Sequence, residues 1–470
     1  MVGIVSYGAY VPWYRLGPET KSWTSSTEKA VAGFDEDSIT MAVAAAINCL
    51  DGFPRESVEA LYFASTTHPY KEKTNATTVS TAADLRPEVL LTADFSGSLR
   101  AGTVALQAAL DAVKGGSAKQ VLLVASDRRV PQMRSEFESV FGDGAAAFLI
   151  GDTKVVAQFE DSCAISHEML DVWRADGDVF VRSWEDRFVL EEGYLKVLPE
   201  VVSRLMTKHK LSPKDLAKVI FYGPDSRRHQ EMARKLGFDL KTQVQDPLFA
   251  KVGNSGTAFV PMMLVSALEQ AEPGDRILIA NYSSGADAFL FQVTEEIRAI
   301  KKRRGMRAYL ESKKIIPDYE TYAVWHGLID KAPPSRRPSF RAPSPAAMLR
   351  EVDKNLRFHG TKCKRCGYTQ YPPQRICTMC HTKDEFEGYR FSDKKAKVFT
   401  YTMDSLGPTL DPPMVVAVID FDGGGRAFSI MTDRDINKLG IGMPVEMTFR
   451  KFYTSEGIHN YYWKCMPVRV

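Results

Sequence analysis

Residues 144–150 read GAAAFLI, and residues 285–291 read GADAFLF. Each run follows a helix-like segment and a strand-like one: AKQVLLVAS at 118–126 precedes the first, GDRILIANY at 274–282 the second. Two matching halves of about 150 residues imply a duplicated βα unit. The surrounding 300 residues alternate short β-branched runs with Ala/Leu-rich helical stretches, such as 101–113 before 120–126 and 260–270 before 276–281. That alternation argues an α/β layered fold.

Beyond about residue 298 the character changes. IRAIKKRRGMRAYLESKK is basic and helical in pattern, and APPSRRPSFRAPSP at 332–345 reads as an extended linker. A short amphipathic helix is expected over 345–358. After Lys395 come about five strand-like runs punctuated by Asp411-Pro412-Pro413 and Asp422-Gly423-Gly424-Gly425, the pattern of a small β-barrel. The expected divisions are 1–155 and 156–298 for the two halves, 299–345 for a connector, 346–394 for a helix and cysteine cluster, and 395–470 for the barrel.

Length, 470 residues, argues several folding units. A net charge of +3 argues against general nucleic-acid binding. The basic excess is local, with 14 Lys/Arg against 6 Asp/Glu between Lys301 and Gly360, which reads as a solvated connector or a face for an anionic ligand. No run of about 18 apolar residues is present, so no membrane span is expected. Four of the seven cysteines lie within 18 residues, which indicates a metal site in a reducing, cytoplasmic setting and not a disulfide framework.

The cysteine spacing is Cys363-x2-Cys366, then Cys377-x2-Cys380. Two such knuckles close a tetrahedral shell of four thiolates, for which zinc is the default ion and rubredoxin-like iron the minor alternative. Four protein thiolates leave no position for water, so the metal is expected to be structural. His381 follows directly but is not needed as a ligand.

TADFSGSLRAGTVALQAALDAV at 92–113 and KVGNSGTAFVPMMLVSAL at 251–268 each join a loop to a helix N-terminus. If the repeat brings these two N-termini together, their N–H groups and dipoles can stabilise a developing oxyanion. These stretches, with GIVSYGAYVPWYRL at the start, THPY at 67–70, FGDGAAAFLIG at 141–151 and SSGADAF at 283–289, resemble the thiolase superfamily, most closely its 3-hydroxy-3-methylglutaryl-CoA synthase branch. The tail from FRAPSPAAMLREVDKNLRFHGTKCKRCG to GMPVEMTFRKF resembles a second family, the zinc-ribbon/OB-fold proteins that accompany thiolases, acyltransferases and steroid-side-chain aldolases and help hold acyl-CoA. The resemblances imply a duplicated αβαβα thiolase fold, a zinc ribbon and an OB-fold. They also imply an acyl-CoA substrate, a homodimer and room for a further thiolase-type subunit.

The first family works with a Cys–His–Asn set plus, in the synthase branch, a Glu. Matched position by position, its cysteine falls on Leu99 and its histidine on Tyr222, while its asparagine is kept as Asn254. The position of its glutamate holds Thr66. Leucine cannot form a thioester, and the adjacent Ser98 lacks an evident base. The remaining groups suit aldol chemistry, which requires a base and oxyanion donors but no acyl-enzyme. Tyr222 or Asp225 is the expected proton carrier, Tyr222 on condition that nearby positive charge lowers its pKa. Asn254 is the expected donor to the thioester oxygen and His68 a pocket residue. Plainer readings are a packing aromatic for Tyr222, a helix N-cap for Asp225 and a loop residue for His68. The competing functions are an acyltransferase or synthase with an unorthodox nucleophile at Ser98, and a non-catalytic acyl-CoA-binding scaffold.

Overall fold

Nine strands of the first 300 residues pair into one sheet: β1 (Gly3–Tyr10), β2 (Ala60–Ala64), β3 (Leu91–Phe95), β4 (Val121–Asp127), β5 (Gly144–Gly151), β6 (Ala157–Ser166), β7 (Lys218–Phe221), β8 (Arg276–Tyr282) and β9 (Gly285–Val293). The spatial order is β7-β8-β9-β6-β1-β5-β4-β2-β3. The computed structural model describes residues 1–89, 91–300, 304–330 and 340–469. Its contacts separate a first unit (Met1–Ala32, Asp37–Ser80, Leu85–Leu328) from a second (Gly33–Glu36, Thr81–Asp84, Ile329–Val470).

The two repeat runs are β5 and β9. Each lies antiparallel to the strand before it, with Leu123 opposite Phe148 and Ile279 opposite Phe289. Both are buried almost end to end, as strands covered on both faces must be, and so they read as continuous apolar runs. The halves meet at the short β1–β6 pairing, Gly3 opposite Gln158 and Ile4 opposite Ala157. β3 closes one end of the sheet.

Four helices frame the interior of this unit: α1 (Ser38–Cys49), α2 (Ala101–Lys114), α3 (Ser226–Leu236) and α4 (Phe259–Gln270). Asp37 starts α1 with a reciprocal capping box, its carboxylate accepting from Thr40 N at 3.0 Å and Thr40 Oγ1 accepting from Asp37 N at 2.8 Å. α4 is buried at every residue from Phe259 to Leu268, the signature of a helix inside a layered core. Its N-terminus meets that of α2, and Gly102 makes the approach possible: a Cβ there would lie 2.6 Å from Thr257 O. The two loop-to-helix segments therefore do converge.

The connector expected over 299–345 is not one piece. Lys314–Ile315 pairs with Tyr14–Arg15. Tyr309 and Trp325 pack edge-on against Tyr10 and Tyr14, at 5.6 and 4.7 Å between ring centroids. These aromatics carry enough apolar area to anchor the chain through Leu328 in the first unit, an anchoring that the basic composition obscured. The Pro/Ser-rich run falls largely on 331–339, outside the described residues.

In the second unit, helices at Pro345–Arg350 and Val352–Asn355 lead into β10 (His359–Cys363), β11 (Thr369–Gln370) and β12 (Phe386–Arg390), ordered β11-β10-β12. Five strands follow, β13 (Ala396–Asp404), β14 (Met414–Phe421), β15 (Arg426–Met431), β16 (Pro444–Ser455) and β17 (Ile458–Pro467), closed as β13-β14-β15-β17-β16. Trp463 fills the barrel, its indole N–H donating to Leu356 O at 2.7 Å. A buried ionic cluster joins Arg450 to Glu36 (2.5 Å) and Asp433 (2.6 Å), and Lys464 to Asp35 (2.7 Å).

Gly102→Ala should force α2 and α4 apart. Overpacking of this kind costs about 1–3 kcal/mol, and thermal denaturation should show a lowered Tm relative to Ala105→Gly, which opens no such clash.

Candidate active site and metal centre

Leu99 occupies the elbow between β3 and α2 and is 5% exposed. Its carbonyl accepts from Asn281 Nδ2 at 3.2 Å, and the same amide reaches Thr103 Oγ1 at 3.3 Å. The elbow is held from the second half of the molecule. Ser98 Oγ accepts from Arg100 N at 3.3 Å; among the described residues no histidine or carboxylate bonds to it. Arg100 forks onto Asp287, at 3.0 and 2.9 Å.

Tyr222 follows β7. Its ring is wedged among Tyr194, Phe259 and Tyr282, with centroids 6.0–6.3 Å away. The Asn254 amide near its hydroxyl favours the ionised form and opposes the effect of burial. Burial pushes the phenol up to about 12, against the opposing pull of the Arg129 guanidinium. The sequence-based expectation required positive charge to lower this group; desolvation outweighs the charge, so Tyr222 stays protonated near neutrality and acts as a donor. Asn254 is 1% exposed, and its Oδ1 accepts from Gly256 N at 3.0 Å.

Asp225 is the N-cap of α3, accepting from Arg228 N at 2.9 Å, while its charge is also felt at Tyr222. The His68 ring stands edge-on to Phe63 at 4.8 Å. Burial lowers its pKa against the opposing Asp94 and Asp127 charges, and its Nε2 has no partner among the described residues. Thr66, at the position of the glutamate, gives both its N–H (2.7 Å) and its hydroxyl (3.0 Å) to Asp127.

Two residues near Tyr222 are not marked by the sequence. Arg129, 6% exposed, lies over the Phe141 ring at 3.9 Å. Asp171, its carboxyl raised by burial, is felt by Tyr222, Tyr282 and Arg129. The available signal for Arg129 was its place just beyond a buried parallel strand, where open α/β sheets bind ligands. Asp171 lies in an irregular stretch and carries no such signal.

The four cysteines of the second unit bring their Sγ atoms within 4.8 Å of one another. Each knuckle ends in a left-handed residue, Gly367 (φ +75°) and His381 (φ +58°). Gly367 N donates to Cys363 O at 2.9 Å and His381 N to Cys377 O at 3.0 Å. His381 is thus the turn counterpart of Gly367. The donor set fits one zinc ion held by thiolates alone, with no site for substrate.

This is the architecture of a thiolase-fold condensing enzyme joined to a zinc ribbon and an OB-fold. Residues 93–166 and 206–291 match 3-oxoacyl-[acyl-carrier-protein] synthase III and its C-terminal domain. Residues 351–387 match the ChsH2 rubredoxin-like zinc ribbon domain, and 389–450 the ChsH2 C-terminal OB-fold domain. The hydroxymethylglutaryl-CoA synthase of Methanosphaera stadtmanae is 32% identical over 345 residues, 70% of this chain and 99% of that protein. That of Methanocaldococcus jannaschii is 33% identical over 339 residues, 69% and 98% of the two chains. The chain belongs to the hydroxymethylglutaryl-CoA synthase family of acyl-CoA condensing enzymes. A crystal structure of HMG-CoA synthase complexed with CoA shares its fold, with a TM-score of 0.61 at 19% identity over 69% of this chain and 89% of that one. Among the described residues no helix is long and apolar enough to cross a membrane.

Metal analysis of the untreated protein should return one zinc per chain. Cys380→Ser should lose it and unfold the ribbon locally, since binding and folding are coupled in such sites. Chelator-induced loss of protease resistance around residues 359–390 measures this.

Proposed function

We propose that the protein forms or cleaves a carbon–carbon bond β to a coenzyme A thioester by aldol chemistry, without an acyl-enzyme. The observation that carries this reading is Leu99 at the elbow, with Asn254 retained and the Tyr222 hydroxyl available as a second donor. In the cleavage direction Asp171 takes the β-hydroxyl proton. The Cα–Cβ bond breaks, its electrons pass to the thioester enolate, and an aldehyde or ketone departs. Tyr222 O–H and Asn254 Nδ2 donate to the enolate oxygen, and Asp171 returns the proton to Cα. Burial raises its pKa, which makes it a stronger base than a free carboxylate. The raised Asp171 carboxyl is favoured over the helix-capping Asp225 as the base.

The fold's exposed edge supports a homodimer. β3 has a partner strand on one side only among the described residues, and Leu91 on it is 62% exposed. Two such edges pairing about a two-fold axis would satisfy both.

Tyr222→Phe and Asp171→Asn should each lower turnover of β-hydroxyacyl-CoA by about 10²–10⁴, and Asn254→Ala by about 10²–10³. Asp225→Asn, which keeps the cap, should change neither stability nor turnover much, whereas Asp225→Ala should cost about 1 kcal/mol of stability; if Asp225→Asn abolishes turnover while Asp171→Asn does not, the base is Asp225. Intact-mass analysis after incubation with acyl-CoA should show no adduct. An adduct on Ser98 restores the acyltransferase reading, and acyl-CoA binding without turnover of any thioester leaves the scaffold. Light scattering should give about twice the 52.5 kDa chain mass.

A further inference from the structure

The Lys29 side chain is 2% exposed, and the proposed chemistry does not use it. A buried ammonium is costly unless the protein replaces its water. Here Nζ donates to Glu138 O at 2.5 Å and stands 3.5 Å from Tyr322 Oη. It also lies over two rings, 5.5 Å from the centroid of Trp23 and 5.1 Å from that of Tyr322. The charged and titratable groups around it are Glu138, Asp143, Arg128, Tyr319, Tyr322 and His326. Glu138 accepts from Tyr319 Oη at 2.6 Å and Arg134 N at 2.9 Å, and Asp143 from Ala32 N at 2.7 Å. Burial holds the His326 imidazole down to about 4 and the Tyr322 phenol well up, so both are neutral near neutrality. Burial also lowers the Lys29 ammonium to about 8, against the opposing Asp143 and Glu138 charges.

Lys29 opens the short strand Lys29–Val31, which lies against the turn that carries Asn254. Ala30 N donates to Val252 O at 2.9 Å, and Asp143 N to Ala30 O at 3.0 Å. Asn254 N donates to Val140 O at 2.7 Å, and Asn254 O accepts from Gly142 N at 3.1 Å. The packing leaves no slack: a Cβ at Gly142 would fall on Val252 O, and one at Gly253 (φ +88°) would lie 2.8 Å from Val140 O. Val140 ends the short helix Glu136–Val140. The amide that would continue this helix, by bonding back to Glu138 O, is Gly142 N. That amide is spent on Asn254 O, and Lys29 Nζ occupies Glu138 O in its stead. The ammonium and the Asn254 turn thus divide one helix end between them.

We infer that Lys29 is a positioning residue: by satisfying Glu138 O it frees Gly142 N to hold the turn from which Asn254 serves the thioester oxygen. This rests on the acyl-CoA reading, in which Asn254 is an oxyanion donor, and deepens it. Lys29→Met removes the donor and keeps the apolar stem. Its kcat on β-hydroxyacyl-CoA should fall about 10–100-fold with KM little changed, because a displaced group costs up to about 10²-fold and this donor acts in the transition state. In an Asn254→Ala background the same substitution should cost almost nothing further, since residues that act through one another are non-additive. A second test requires no variant. A charge-assisted bond is about twice as strong as a neutral one. The kcat of the unaltered protein should therefore fall as pH rises through about 8 and Lys29 loses its charge. Unfolding linked to Lys29 would not mimic this, because a lysine whose pKa is lowered by folding stabilises the fold as pH climbs from about 8 towards 10.5. A kcat that stays flat through that limb, or a full Lys29→Met loss in the Asn254→Ala background, overturns the inference while the acyl-CoA reading stands. Unaltered turnover in Asn254→Ala alone overturns the donor role of Asn254 itself, and the inference with it.

Discussion

One buried carboxylate fixes the geometry on which the rest depends. Asp127 ends β4 with no exposed surface, and its two oxygens collect donors from the loop after β2 and from the turn before α4. These segments come from different halves of the repeat. A buried anion left short of donors is costly, whereas one fully bonded is rigid, so both loops are held in a single arrangement. Gly256 is a direct consequence, since a side chain there would strike Asp127 Oδ2. Thr66 is another: besides its backbone N–H it supplies a hydroxyl donor, which an ionised carboxylate could not do.

The pocket built on this frame is rich in donors and lacks a nucleophile. Tyr222 is kept as a phenol by burial, and Asn254 is anchored at its oxygen by Gly256 N, with its amide 3.5 Å from Gly223 O. Such groups stabilise an oxyanion without forming a bond to it, and they do so best where water is scarce. Leu99 adds apolar volume at the point where covalent chemistry would otherwise begin. The loss of the nucleophile, the retention of Asn254 and a phenol at the histidine position thus fit one kind of reaction, in which charge appears on a thioester oxygen and disappears again.

Much of the fold was legible because its signals are local. The runs at 144–150 and 285–291 are two-sided buried strands, and such strands show as uninterrupted apolar text. The four-cysteine spacing is a covalent-geometry statement and needs no tertiary context. The site was only partly legible. Leu99, Tyr222 and Asn254 sit at repeat-related loop positions, which sequence can number. The protonation state of Tyr222 depends on three aromatic neighbours from distant segments, and sequence does not reveal that desolvation. Asp225 could be read either as a base or as a cap, and the bond from Arg228 N shows the cap. Arg129 and Asp171 belong to the site through folding alone. Residues 304–328 were misjudged because their basic text hides aromatics that anchor them to β1 and its flank.

The ionic cluster of the barrel bears on how such a two-part protein can be taken apart. Arg450 and Lys464, on adjacent barrel strands, find carboxylates at Glu36 and Asp35, more than 400 positions earlier in the chain. A gene split at residue 329 would yield a tail in which Lys464 had lost Asp35 and Arg450 had lost Glu36 and kept Asp433, and an uncompensated buried charge costs about 3–5 kcal/mol. The barrel is therefore not a detachable cassette. Any lineage that carried it as a separate polypeptide would have needed either different residues at 450 and 464 or a second chain to supply the missing carboxylates.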